Sequence, residues 1–310
     1  MKIIKHLLKN WKLLIGYFTG KTFKEWKSIY NKNPRRFNHD EPWLTLVATY
    51  ALFGEQCKMN QPNRIKAFNL LLKSSNLDNV PKIKSIEEIQ VEKQLPEVEK
   101  YNEVMRDHVF HYFPDIITRI IEKKRKGKTS FEGNTHVDLF IRGTDSDGKK
   151  ICFFIEAKFN SDISHDIKYN PVRDQIIRNI DSAIEVQQKS KDVNKNKGII
   201  DDIFFLLLTP KIFRTESYGG NRKTSLDIFK PQRSRLYCYK MDEYKNPLNL
   251  KSALPHRNEI SSEHWQRLAR NIGWITFEDI NRVAFDNDTM APPEKEMILE
   301  FMNERNMIEK

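Results

Sequence analysis

Two runs near the middle of the chain alternate apolar and polar positions with a period of two. In THVDLFIRG, 135–143, Val137, Leu139 and Ile141 point one way and Asp138 and Phe140 the other. In ICFFIEAKF, 151–159, Ile151, Phe153, Ile155 and Ala157 oppose Cys152, Phe154, Glu156 and Lys158. Period two predicts strands. The connection TDSDGKK carries Asp147-Gly148, a hairpin signal, so the two strands should be antiparallel neighbours. DIFFLLLTP, 202–210, is apolar on both faces, as a central strand is. RSRLYCYKM, 233–241, reads as a last strand.

The remaining pattern is mostly helical. Ile3, Leu7, Leu8, Trp11, Leu14 and Ile15 recur at helical spacing and predict an amphipathic N-terminal helix. EPWLTLVATYALFGEQ, with Pro42 at its start, and RIKAFNLLLKS read as two core helices. Residues 76–95 read as a polar connection with a short helix at Ile86–Val91. Pro96 opens a helix whose stripe is Val98, Tyr101, Met105, Val109 and Tyr112; Pro114 breaks it and opens another. A polar loop spans 160–172. The next helix, to about residue 189, points Ile176, Ile177, Ile180 and Ile184 inward. Residues 211–232, with Gly219-Gly220, read as an irregular insertion. From Leu254 onward the pattern predicts helices alone.

This order gives an α/β class, a mixed sheet flanked by helices with helical extensions at both ends. Three segments follow from it: a basic amphipathic helix in 1–36, a main domain in 37–250 with a helical lead-in, and a helical segment in 251–310.

Composition adds a partner class. The 310 residues carry a net charge of +11, and 31% are charged. Such an excess points to an anionic partner, nucleic acid before a membrane surface; a Lys-rich codon bias gives the same excess. Residues 1–36 alone hold ten Lys or Arg against Glu25. Cys57, Cys152 and Cys238 are scattered and form no CxxC, against a disulfide framework or structural zinc and in keeping with a reducing cytoplasm. Lysines interrupt the apolar N-terminus, so neither a membrane span nor a secretory signal is expected. No GxxxxGK[ST] occurs, so no ATP site is expected.

Three polar residues stand out on the otherwise apolar strands. Asp138 and Glu156 lie on adjacent strands, and Lys158 shares the face of Glu156. Buried charges require compensation. Two nearby carboxylates repel, and a magnesium ion, which prefers hard oxygen ligands, satisfies both; the carbonyl of Ala157 is a natural further ligand. Phosphodiester hydrolysis fits this set: metal at Asp138 and Glu156, with Lys158 orienting or activating water and stabilising negative charge.

HVDLFI, a turn and CFFIEAKF resemble the PD-(D/E)XK nuclease superfamily, the restriction-endonuclease-like fold. Asp138 matches its first acid, and Glu156-Ala157-Lys158 its (D/E)-X-K. His136-Val137 departs from the Pro in the motif's name. The resemblance covers roughly 97–210. It implies a Mg2+ cofactor, with Mn2+ as a substitute, and a Gln on the following helix that faces the site, here Gln175, placed to bond Lys158 or a metal water. Arg178, a turn later, is suited to a phosphate. A further acid on the helix before the first strand is a family feature; the candidates are Glu97, Glu99 and Glu103, Glu103 having the more familiar distance to Asp138. Glu132 sits in an expected loop.

The reading that results is a metal-dependent nuclease acting on DNA, an endonuclease of restriction or phage-defence type, with RNA left open as substrate. Lys123, Lys124, Arg125 and Lys126 and the N-terminal helix would supply phosphate contacts. A homodimer and a partner protein are compatible with it. The alternatives are a catalytically inactive nucleic-acid-binding module on the same fold, and a scaffold that binds a membrane or partner through residues 1–19.

Overall fold

A computed structural model describes residues 2–10, 28, 31–32, 41–104, 135–159, 163, 173–191, 198–215 and 236–305. The described elements are α1 (Lys2–Lys9), α2 (Glu41–Phe53), α3 (Pro62–Lys73), β1 (Ile83–Leu95), β2 (Thr135–Asp145), β3 (Lys150–Ala157), α4 (Gln175–Ser190), β4 (Asp202–Thr209), α5 (Ile212–Thr215), α6 (Leu236–Tyr244), α7 (Pro247–Ala253), α8 (Ser262–Arg270), β5 (Ile272–Thr276), α9 (Phe277–Asp286) and α10 (Pro292–Asn303). The expected helix after Pro114 with its 123–126 cluster, most of the 160–172 loop, and Gly219-Gly220 lie outside the described residues, as do Trp11, Leu14, Ile15, Met105, Val109, Tyr112 and Glu132.

The strands form one mixed five-stranded sheet in the order β1-β2-β3-β4-β5. β1, β2 and β3 make an antiparallel meander, while β4 and β5 run parallel to β3. The β2–β3 hairpin forms where expected. Gly148 takes a φ of 82°, and Asp145 Oδ1 accepts from the amides of Asp147 and Lys149 at 2.9 Å. Glycine adopts such a φ without steric cost.

Both faces of the sheet are covered, which is why the middles of β3 and β4 are apolar on both faces. Ile151, Phe153, Ile155 and Ala157 join Phe204, Leu206 and Leu208 against α1, α2, α3, α9 and α10. Cys152 and Phe154 join Phe205 and Leu207 against Ile176, Ile177, Ile180 and Ile184 of α4 and against α6 and α8. Val137, expected beside Leu139 and Ile141, instead packs with Leu95 in the second cluster. It pairs with Lys93, next to Glu92, whose φ of 54° breaks the pleat of β1.

Three expectations about elements are corrected. Residues 83–95 are an edge strand and not a polar connection with a helix at Ile86–Val91. Register shifts between Ile83 and Ser85 and between Ile86 and Glu88 put Ile83, Ile86 and Ile89 on one side at a spacing of three, which imitates a helix. Residues 233–241 do not supply the last strand: Tyr237, Met241 and Tyr244 are the buried face of α6, spaced at four and three. The fifth strand is β5, within the stretch read as wholly helical. It is five residues long and joins β4 between the Asn271 cap of α8 and the Thr276 cap of α9. Residues 251–310 therefore contribute a strand to the main sheet.

At the N-terminus, Ile3, Ile4 and Leu7 are fully buried, and Lys2 pairs with Glu300 of α10 at 2.9 Å. Over residues 2–9 the apolar stripe is spent on the protein's own core. No helix among the described residues is long and apolar enough to cross a membrane.

Candidate active site

The end of β3 carries the polar residues. Leu139 pairs with Ile155, so Asp138 lies on the β2 side of Glu156, on the same face. Asp138 Oδ2 accepts the Ala157 amide at 2.8 Å. Beyond Ala157 the chain leaves β2 but stays joined to β4, the Lys158 amide donating to the Leu208 carbonyl at 2.8 Å. This holds Asp138, Glu156 and Lys158 at one corner of the sheet.

Glu156 is only 2% exposed and both its oxygens are engaged. Oε1 accepts from Gln175 Nε2 at 2.6 Å and lies 2.7 Å from Lys158 Nζ. Oε2 accepts from Asn179 Nδ2 at 2.8 Å. Asp174 caps α4, accepting the Ile177 amide at 3.0 Å, and so aims the first turn at β3. Gln175 and Asn179, four residues apart, present both amides to one carboxylate. Gln175 was expected at Lys158 or a metal water; it holds Glu156.

A third carboxylate enters from far away in sequence. Glu41, at the start of α2, lies 3.4 Å from Lys158 Nζ through Oε2, and its Oε1 accepts the Phe159 amide at 3.3 Å. Glu103 is exposed, as is Glu99, and neither is the acid joined to Lys158. With β1 at 83–95, the helices ahead of the first strand are α2 and α3, not the stretch after Pro96. The candidates named from the sequence thus follow β1 in the chain, whereas Glu41 comes from a helix ahead of it. Asn179, one turn beyond Gln175, and Thr135, which bonds it, are not singled out by the sequence; neither has a signal beyond helical spacing and strand position.

Arg178 is partly buried. Burial and the Arg178 charge together lower the pKa of His136. The cluster Lys123, Lys124, Arg125 and Lys126 lies outside the described residues.

The electrostatics are those of an acid-rich corner. Burial, then repulsion by Glu156, raises the Asp138 pKa well above the usual range. Burial also raises that of Glu156, while Lys158 opposes the shift. Burial works against the Lys158 ammonium, but Glu156, Asp138 and Glu41 outweigh it and raise its pKa. The carboxylates around it thus favour the charged form of Lys158.

Three carboxylates surround one ammonium, a set with excess negative charge and hard oxygen donors. A magnesium ion suits such donors, commonly through one or two carboxylates with waters and phosphate completing its shell. Among the described residues no three His, Cys, Asp or Glu side chains are arranged to hold a metal by themselves. Asp138 and Glu156, with the Ala157 carbonyl, are the residues the donor chemistry favours.

Comparison with protein-family models, with curated proteins and with solved structures finds no significant match for this chain.

Proposed function

We propose that this chain is a metal-dependent nuclease of the PD-(D/E)XK type, on a restriction-endonuclease-like fold, that hydrolyses phosphodiester bonds in DNA. The observation that carries the reading is the convergence of Asp138, Glu156 and Lys158 at the end of β3, with Glu41 and Gln175 closing around them. The order of a meander, a Gln-bearing helix and a parallel buried strand supports the same fold.

Asp138 and Glu156 would hold Mg2+, or Mn2+ in its place. The ion, when bound, would supply Lewis-acid stabilisation of the phosphate and lower the pKa of a water. Lys158, kept protonated by its three neighbours, stabilises negative charge developing on the phosphate. Gln175 and Asn179 fix the rotamer of Glu156, so the carboxylate meets its ligand preorganised. Arg178, a turn after Gln175 on α4, is suited to a neighbouring phosphate through its guanidinium fork. The net charge of +11 favours an anionic polymer, and a cytoplasmic restriction or phage-defence role fits a soluble nuclease.

The test is a cleavage assay on supercoiled plasmid, linear duplex, single-stranded DNA and RNA, with Mg2+, Mn2+ or EDTA, beside Asp138→Ala. Metal-dependent cutting lost in the variant is the expected result. Salt-sensitive binding that ignores Mg2+, with no cutting of any substrate, would select the inactive binding module instead.

A further inference from the structure

One guanidinium grips the side of α4 that faces away from Glu156. Asp181 lies two residues beyond Asn179, about 200° around the helix, so its carboxylate leaves the opposite side from the Gln175 and Asn179 amides. Arg257, buried in the turn between α7 and α8, reaches along that side. Its Nε donates to Asp181 Oδ1 at 2.7 Å, its Nη2 to Glu185 Oε2 at 2.9 Å and its Nη1 to Gln188 Oε1 at 2.8 Å. Positions 181, 185 and 188 form one stripe at helical spacing. The second Asp181 oxygen lies 2.8 Å from His256 Nε2 and accepts from Arg173 Nη2 at 2.8 Å. Burial alone would raise the Asp181 pKa; His256, Arg173 and Arg257 outweigh it and pull it down to about 2.

The turn that carries Arg257 is itself tied to the sheet. The Arg257 amide donates to the Leu254 carbonyl at 3.0 Å, and α8 follows with Trp265, Leu268 and Ala269 buried in the same core as β4. Asn271, at the end of α8, donates Nδ2 to the Ile203 carbonyl of β4 at 2.9 Å. Arg257 therefore links the back of α4 to the sheet by a route that does not pass through the catalytic corner.

The inner face of α4 cannot set the position of the helix alone. Ile176, Ile177, Ile180 and Ile184 pack on the sheet, and apolar burial is non-directional. A helix can turn or slide slightly on such a face and keep most of its burial. Hydrogen bonds tolerate far less misalignment. Gln175 and Asn179 meet Glu156 at 2.6 and 2.8 Å, so a small rotation of α4 would break both contacts. A planar fork bonded to three residues over two turns fixes both the rotation of α4 and its shift along its axis.

We infer that Arg257 is a positioning residue of the candidate active site: acting through α4, it aims the Gln175 and Asn179 amides at Glu156. Its effect on catalysis rests on the nuclease reading; its effect on geometry does not.

The test is a double-mutant cycle. Arg257→Lys keeps the charge beside Asp181 and loses the fork. On the wild-type background it should lower kcat for Mg2+-dependent plasmid cleavage about tenfold with KM unchanged, at a temperature below its melting midpoint. On a Gln175→Ala/Asn179→Ala background the same change should lower kcat by less than about twofold, because the groups it aims are already gone. Arg257→Lys with wild-type kcat overturns the inference. So does an equal loss on both backgrounds, which marks a structural role alone. If Arg257→Lys does not fold, Glu185→Gln is read on the same two backgrounds, with a loss of the same sign and the same non-additivity expected. A wild-type protein that cuts nothing sinks the nuclease reading, and the inference is then read from geometry by nuclear magnetic resonance. The side-chain amide resonances of Gln175 and Asn179 should shift in the folded variant, which leaves the positioning role standing; resonances that do not move overturn it.

Discussion

Thr135 and Asn179 are joined by a buried hydrogen bond, Oγ1 donating to Oδ1 at 2.9 Å, and this bond decides which end of the amide faces Glu156. With Oδ1 occupied by a hydroxyl donor, Nδ2 is presented to Glu156 Oε2. Removing the hydroxyl frees the amide to turn and leaves a buried acceptor unpaired. Thr135→Val should cost about 1–3 kcal/mol of stability. Asn179→Ala should lower kcat about 10- to 100-fold with little change in KM, the usual effect of losing a group that orients a ligand. Steady-state cleavage kinetics beside thermal melts check both; unaltered kcat in Asn179→Ala would remove the positioning role.

Lys158 pairs with both Glu156 and Glu41, at 2.7 and 3.4 Å. Lys158→Met should abolish cleavage and cost about 3–5 kcal/mol near neutral pH, because it leaves buried carboxylates uncompensated. The deficit should shrink on acidification, since protonation then neutralises the acids. Urea melts at several pH values read this directly, and a pH-independent deficit would contradict it.

Asp138 is held in a state that costs stability when it is ionised. Its folded-state pKa is raised by burial and by Glu156. A carboxyl with a raised pKa binds protons more tightly when folded, so its cost is absent below the unfolded pKa and grows as pH rises through the folded one. Asp138→Asn keeps an oxygen for the Ala157 amide and removes the charge. It should be inactive yet more stable than wild type at pH 8, by about 1 kcal/mol or more, with the gain vanishing near pH 3–4. A variant less stable than wild type at pH 8 would overturn the electrostatic picture.

Mg2+ should act in the opposite sense to charge repulsion at this corner. A ligand that binds only the folded state at 100 times its Kd adds about 2.7 kcal/mol. Wild-type melting midpoints should therefore rise with Mg2+, and those of Asp138→Asn should respond far less. Equal shifts in both proteins would place the ion elsewhere.

Glu278 offers a pH test away from the candidate site. It lies in the first turn of α9 and accepts the Lys211 amide at 2.8 Å, and burial pushes its pKa up to about 7. Its ionisation cost should grow between about pH 4.5 and 7 and stay constant above. Glu278→Gln should then stabilise the protein at pH 8 by up to about 3 kcal/mol and have little effect at pH 4. A pH-independent difference in unfolding free energy would refute this.

The parts of the fold that were readable share a cause. β2, β3 and β4 declare themselves by alternation or by continuous apolar character, and the Asp147-Gly148 turn fixes how β2 and β3 pair. α4 declares its inner face through Ile176, Ile177, Ile180 and Ile184. β1 was hidden because its register shifts give three-residue spacing, and β5 because five residues between two capped helices carry too little periodic signal. Tyr237 and Cys238 suggested a strand, but packing of Tyr237, Met241 and Tyr244 settled α6 as a helix.

By itself the sequence determined what local physics encodes: that β2, β3 and β4 are strands, where the hairpin turns, and that Asp138, Glu156 and Lys158 lie at the end of neighbouring apolar strands. Only the tertiary structure decided what meets them. Glu41 reaches Lys158 across 117 positions of chain, and Thr135 reaches Asn179 across 44. Nothing in a local period records such distances. They are set when α2 packs on one face of the sheet and α4 on the other, and burial then makes each charge depend on partners its own segment does not contain.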